Sequence, residues 1–179
     1  MKVDPAIAQF QAENVRAQTI VRPAEKKMGP ATVLKIREKV PLFRDMPMEL
    51  LMRTLAICEQ VTVEAGSDVF KEGDMGDSFF VLISGEVIVG KERGDKLIEL
   101  ARLGVGDCFG EMALVGKHVR TATVRANRDA VAMRFYRDAV DAEVESAHMI
   151  YRNMARILAM RLEEASATMA DLLAQNSRS

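Results

Sequence analysis

The spacing of apolar side chains changes character three times along the 179 residues of the chain. In residues 31–40 and 48–59 it is helical: Val33 and Leu34, then Leu50, Leu51 and Leu55, recur at steps that keep one face apolar, and Pro41 and Pro47 stand where helices stop or start. Two short helices around a Pro41-Leu42-Phe43 turn are predicted. Beyond Glu59 the period shortens to that of strands, with apolar runs at 61–63, 69–70, 78–83, 87–89, 97–100, 120–125 and 130–135. Glycine-bearing turns are expected to cut them apart at 65–68, 73–77, 84–85, 93–95 and 104–107. Close to eight short strands at regular spacing predict a compact β sandwich or jelly-roll barrel. From Arg137 to Asn176 there is neither Gly nor Pro, and Ala, Leu, Met, Glu and Arg dominate, which predicts one short helix followed by a long one.

Within the long helix, Tyr151, Ala155, Leu158, Leu162, Ala165, Met169 and Leu172 alternate steps of four and three, a heptad seam free of polar interruption. Ile150, Met154 and Ile157 form a neighbouring stripe suited to lie on the β domain. A single amphipathic helix packed on its own domain would explain part of this pattern. The seam runs past the reach of one small barrel, so pairing with a second copy of the chain is the expectation.

Composition narrows the function. The chain is 49% hydrophobic and 28% charged, with 25 Lys plus Arg against 26 Asp plus Glu, the balance of an ordinary globular protein and not of a strongly basic nucleic-acid binder. Residues 1–40 depart from it with eight basic and four acidic side chains, so the appendage at 1–30 is either a solvated tail or a docking arm for an acidic protein partner of unknown identity. Cys58 and Cys108 are too few for a disulfide framework and are expected in the core. With two histidines and no metal-ligand spacing, no metal is expected. No export signal or membrane span is visible, and a cytoplasmic location is expected.

The chemistry concentrates in Phe109-Gly110-Glu111-Met112-Ala113-Leu114 and, after a short loop, Val119-Arg120-Thr121-Ala122-Thr123-Val124. Gly110 leaves room for a close ligand, and Met112-Ala113-Leu114 can begin a helical turn whose backbone N–H groups face an anion. Arg120 on a strand inside a barrel needs a buried anionic partner, and its planar fork suits a phosphate.

These residues resemble the phosphate-binding cassette of the cyclic nucleotide-binding domain family, whose members include catabolite activator and protein kinase A regulatory sensors. The upstream stretch Phe70-Lys71-Glu72-Gly73-Asp74-Met75-Gly76-Asp77-Ser78-Phe79-Phe80-Val81-Leu82-Ile83-Ser84-Gly85-Glu86-Val87 also looks like the family's strand-turn-strand signature. The resemblance covers about residues 32–166. It implies a mainly β fold with flanking helices: an eight-stranded jelly-roll barrel with short N-terminal helices and a long C-terminal helix. The division expected is an appendage at 1–30, helices plus barrel at 31–136, and lid and dimerisation helices at 137–179.

Carried onto this sequence, the resemblance implies that Arg120 pairs with the exocyclic phosphate oxygens and Glu111 accepts a hydrogen bond from the ribose 2′-OH. Phe109, Gly110, Met112, Ala113, Thr121 and Ala122 complete the ligand-binding set. Thr121 leaves the choice between cAMP and cGMP open, with cAMP preferred. In the transcription-factor branch, residues of the long helix cover the base; the matching positions are Ala165, which lacks a side-chain donor, and Ser166. Thirteen residues follow Ser166, too few for a helix-turn-helix module, so a stand-alone sensor without direct DNA binding is expected. The implied function is that of a non-catalytic receptor, with no cofactor beyond the ligand, whose C-terminal helices move on binding to regulate a partner. The alternatives are a constitutive dimeric docking module with structural or no nucleotide, and a cyclic dinucleotide sensor. No activated nucleophile or paired carboxylate site supports an enzyme.

Overall fold

Proline sets the limits of the first helix. The structure, a computed structural model, describes residues 22–23, 29–94, 96–115 and 118–176. Helix α1, Pro30–Lys39, takes its fixed backbone angle from Pro30 at its start and ends before the single turn of 3₁₀ helix at Pro41–Phe43. Helix α2, Met48–Ala56, follows Pro47. Both helices and the turn between them fall where the apolar spacing predicts. The basic appendage at 1–30 lies outside the described residues apart from Arg22, Pro23, Gly29 and Pro30.

Seven strands make one antiparallel sheet among the described residues: β1 Arg22–Pro23, β2 Glu59–Val63, β3 Asp68–Phe70, β4 Ser78–Arg93, β5 Lys96–Leu103, β6 Cys108–Phe109 and β7 Thr123–Tyr136. The order is β1-β2-β7-β4-β5, with β3 also on β7 and β6 on β4. The ends of this path are not paired with each other, so the sheet folds over into a jelly-roll-like sandwich without closing.

Two pairs of expected strands are in fact continuous. Residues 78–83 and 87–89 both belong to β4; of the run expected at 120–125 only 123–125 is strand, continuous with 130–135 in β7, so Arg120 lies in the loop before that strand and not on it. Ser84-Gly85 is therefore not a turn. The register between β4 and β7 shifts around it, and Gly85 at φ 85° lies so close to β7 that an added β-carbon would stand 2.3 Å from the Asp129 carbonyl oxygen. This is a bulge that bends the strand, a role only glycine fills at such a backbone angle.

Alternation along the bent strands builds two cores. Phe79 and Val81 of β4, Cys108 of β6, and Met133 and Phe135 of β7 face the helices, where they meet Leu42, Phe43, Met46, Leu51, Ile150 and Met154. Phe79 and Phe135 stack at 5.0 Å between ring centroids. The intervening residues, Phe80, Leu82 and Phe109 with Ala130 and Ala132, face the inside of the sandwich beside Val61, Val87 and Ala126. Cys108 is buried and Cys58 only half-buried, because Cys58 lies just past the end of α2.

The C-terminal segment divides into α4, Arg137–Ala142, and α5, Val144–Asn176. A one-turn helix in the cassette, Met112–Val115, precedes them in the chain and is α3. The Ile150 and Met154 stripe packs on the helix-side core as expected. Asn153, also buried, donates from Nδ2 to the carbonyls of Leu42 (3.0 Å) and Arg44 (2.8 Å), which ties α5 to the 3₁₀ turn. Thr54 of α2 adds a hydrogen bond of 2.8 Å to Ser146. From Leu162 to Asn176 every residue of α5 is exposed.

Candidate functional site

Between the sandwich, the cassette and α5 lies a cavity of about 330 Å³. Phe109, Gly110, Glu111, Met112, Ala113, Arg120, Thr121 and Ala122 all line it. Residues seven to thirteen positions apart thus meet in one wall. Ser166, the ninth residue singled out from sequence, does not line it and is exposed on α5. It sits one turn beyond Leu162, which does line the cavity, and the helix rise of about 1.5 Å per residue carries it roughly 6 Å further along the axis.

Arg120 is only 4% exposed. No carboxylate among the described residues bonds to it: Nη1 donates to the carbonyl oxygens of Ser78 and Gly110, both at 2.7 Å, and Nη2 donates to the Ser78 hydroxyl at 3.3 Å, all neutral acceptors. Its guanidinium carbon stands 4.2 Å from the centroid of the Phe70 ring, and Phe70, Phe80 and Phe109 form an aromatic floor in which Phe80 and Phe109 stack at 5.2 Å. The ring face stabilises the cation where water is excluded. Nε is buried and has no acceptor among the described residues. Burial pulls the guanidinium down to about 10, against the opposing pull of Asp77, so it remains charged at neutral pH. A buried cation with a spare donor, in the wall of a cavity, is a seat for an anion.

Glycine makes this seat possible at two points. Gly110 holds φ at 81°, and a β-carbon there would stand 2.7 Å from Arg120 Nη1. Gly76 covers the guanidinium from the loop between β3 and β4, where a β-carbon would lie 2.6 Å from Arg120 Cζ. That loop also grips the Arg120 backbone: Arg120 N–H donates to Asp74 O at 2.8 Å, and Gly73 N–H donates to Arg120 O at 2.9 Å.

Glu111 is 5% exposed, and its carboxylate accepts from Arg161 Nη1 at 3.0 Å. Burial raises its pKa from the ordinary value, and the Arg161 charge opposes the rise. Arg161 Nη2 donates to the Cys108 carbonyl at 2.7 Å, so one guanidinium of α5 holds the first run of the cassette at both Cys108 and Glu111. Sequence reasoning missed Arg161. Its signal was available in the spacing Leu158, Arg161, Leu162, which places it on the helix face that meets the cavity.

Two further contacts hold the cassette. The Thr121 hydroxyl donates to Met112 Sδ at 3.5 Å across the cavity mouth. Lys91 of β4 donates to the Thr121 carbonyl and to the Glu72 carboxylate, the latter at 2.6 Å. Phe70, Val89, Ala101, Leu103, Val124, Leu158 and Leu162 supply the rest of the lining, all apolar. No helix among the described residues is long and apolar enough to cross a membrane.

Comparison with known proteins agrees with this geometry. Residues 60–147 match the family model of the cyclic nucleotide-binding domain. The cyclic AMP receptor protein of Thermus thermophilus is 30% identical over 126 residues, which are 70% of this chain and 58% of that protein. A cGMP-dependent protein kinase of Caenorhabditis briggsae is 33% identical over 101 residues, 55% of this chain and 14% of the kinase. This chain therefore spans less than two thirds of either relative. Among solved structures, the Thermus thermophilus catabolite activator protein superposes with a TM-score of 0.66 at 30% identity, covering 75% of this chain and 63% of that one. A cyclic nucleotide-binding domain from Methylobacillus flagellatus gives 0.69 at 22% identity, covering 77% and 80%, a likeness of fold.

Proposed function

The chain carries a domain of the cyclic nucleotide-binding family, and on that premise we propose that it is a non-catalytic receptor for a cyclic mononucleotide, with cAMP the preferred ligand. The observation that carries the reading is Arg120: a buried guanidinium in the cavity wall, with an unused Nε donor, between two glycines whose backbones pack close against it. A cyclic phosphate supplies the anionic oxygens this group lacks. On this reading Glu111 accepts from the ribose 2′-OH, a role that competes with its bond to Arg161. Ligand binding then reaches α5 directly, since Arg161 belongs to that helix, and a small change at the ribose becomes a change in helix position.

The base preference follows from the rest of the wall. Its polar side chains, Glu111, Arg120, Thr121 and Arg161, all belong to the cassette or pair with it. The remaining lining is apolar, and Thr121 already donates to Met112. Guanine presents a protonated N1, an amino group and a carbonyl along one edge, and burying that edge without partners costs more than burying the adenine edge. Relatives named for each nucleotide exist, so this is a statement about this cavity.

Calorimetric titration of the nucleotide-stripped protein with cAMP and cGMP, beside Arg120→Ala at the same salt concentration, tests the proposal. Saturable binding, tighter for cAMP and lost in the variant, is expected. Binding of neither nucleotide to folded, empty protein would overturn it and favour a dimeric docking module, which the exposed seam of α5 also suits. A cytoplasmic receptor acting on a protein partner fits this reading.

A further inference from the structure

Arg137, the first residue of α4, does not line the cavity, yet it joins the three segments that surround Arg120. Its Nη2 donates to the carbonyls of Ala113 (2.7 Å) and Leu114 (2.6 Å) in α3. Its Nη1 lies 2.7 and 2.9 Å from the two ring nitrogens of His118 and donates to the unprotonated one. Its backbone N–H donates to Asp77 O at 2.8 Å, at the end of the loop that covers Arg120. That loop closes the circuit, because Gly76 N–H donates to the His118 carbonyl at 2.8 Å.

Each contact answers a local need. A helix of one turn leaves its last carbonyls without partners in a following turn, and Ala113 and Leu114 are buried, so water does not replace them. A cation at the carboxyl end of a helix is also favourably placed against the helix dipole. His118 holds φ at 59°, a left-handed conformation that a side chain adopts only when its surroundings keep it there. One planar guanidinium reaches both carbonyls and the imidazole at once; an ammonium is a single point charge on a shorter stem.

We propose that Arg137 is a positioning residue of the nucleotide site: its guanidinium clasps α3 to His118, beside the Asp77 loop that its backbone N–H already holds, and so keeps the cassette in the shape that presents Arg120 to the phosphate. It touches no ligand itself. The inference rests on the nucleotide-receptor reading, and its test separates the two.

The full chain, Arg137→Gln and Arg137→Lys are compared by cAMP titration and by amide hydrogen exchange of the nucleotide-free proteins. Loss of the charged hydrogen bonds is expected to weaken cAMP binding about tenfold or more in Arg137→Gln, with Arg137→Lys in between. Exchange is expected to quicken in residues 110–120 alone, leaving β4, β7 and the first half of α5 as protected as in the parent. Affinity unchanged in Arg137→Gln, or faster exchange throughout the domain, would overturn the proposal, the second outcome because it marks a general structural role. Should Arg137→Gln fail to fold, the same comparison is decided on Arg137→Lys. If the parent protein binds neither cAMP nor cGMP, the receptor reading fails, and the exchange pattern in residues 110–120 still decides whether Arg137 holds the cassette.

Discussion

Gly76 shows how far a single missing methyl group governs this site. Its hypothetical β-carbon falls 2.6 Å from both Cζ and Nε of Arg120 and 2.8 Å from the Ala113 β-carbon, closer than any real contact allows. Arg120 is the more movable neighbour, since Ala113 is tied through α3. Gly76→Ala is therefore expected to displace the guanidinium from Ser78 and Gly110 and to lower cAMP affinity about tenfold or more, while the sandwich stays folded. Titration beside a thermal melt checks this; unchanged affinity would mean that the loop and not the guanidinium gives way. Glu111 makes a second, pH-dependent prediction. Its pKa is raised by burial, so only in the window between the ordinary and the raised value does the native state hold a proton that the unfolded chain has already released. Stability then falls as pH rises from the ordinary carboxyl value near 4.5 through the folded-state value. Glu111→Gln keeps an acceptor for Arg161 and removes the ionisation, so its melting temperature is expected to be flatter than the parent's across that window. Parallel pH profiles for the two proteins would remove burial of Glu111 as the cause.

At the scale of elements, what was legible in the sequence followed from what local spacing can encode. The two prolines, the helical steps of Leu50, Leu51 and Leu55, and the Gly- and Pro-free stretch after Arg137 place the helices, because capping and propensity act within a few positions, although the second ends at Ala56 and not at 59. The cassette was legible for the same reason: eight of its residues sit in two short runs, and chain continuity brings each run to the cavity whole. Gly85 was misread because a glycine with positive φ serves a turn and a bulge equally well, and only the facing strand, Asp129–Ala130, decides between them. Arg161 and Lys91 were missed because their partners, Glu111 and Thr121, lie 50 and 30 residues away, where no periodicity connects them. Cys58 shows the limit in the other direction. Its residue type favours burial, but its position one residue past the C-cap of α2 leaves it half-covered.

For the molecule as a whole, the second half of α5 stands out as an exposed helix. Leu162 is 68% exposed and Met169 63%, with Leu172 and Leu173 similarly open, on a segment that extends beyond the packed domain. A helical stretch of about 15 residues is marginal in water by itself, and packing normally supplies what propensity does not. The residues in question continue the heptad seam begun by Tyr151 and Leu158, which already rest on the helix-side core. An identical seam on a second copy satisfies this face without polar mismatch, since both strands of the pair present the same apolar steps. It would also place the turn bearing Ser166 beside another subunit. Sedimentation of the full chain is expected to give twice the monomer mass across the micromolar range. Met169→Glu combined with Leu172→Glu buries four charges in such a pair and removes four apolar side chains, each worth roughly 1.5–3 kcal/mol when fully covered, so dissociation should strengthen at least about a thousandfold. Neither residue lines the cavity, and monomeric variant protein should retain its fold and its response to cAMP in the titration. A monomeric parent, or a variant that stays dimeric, would assign the exposed face to something other than a second copy.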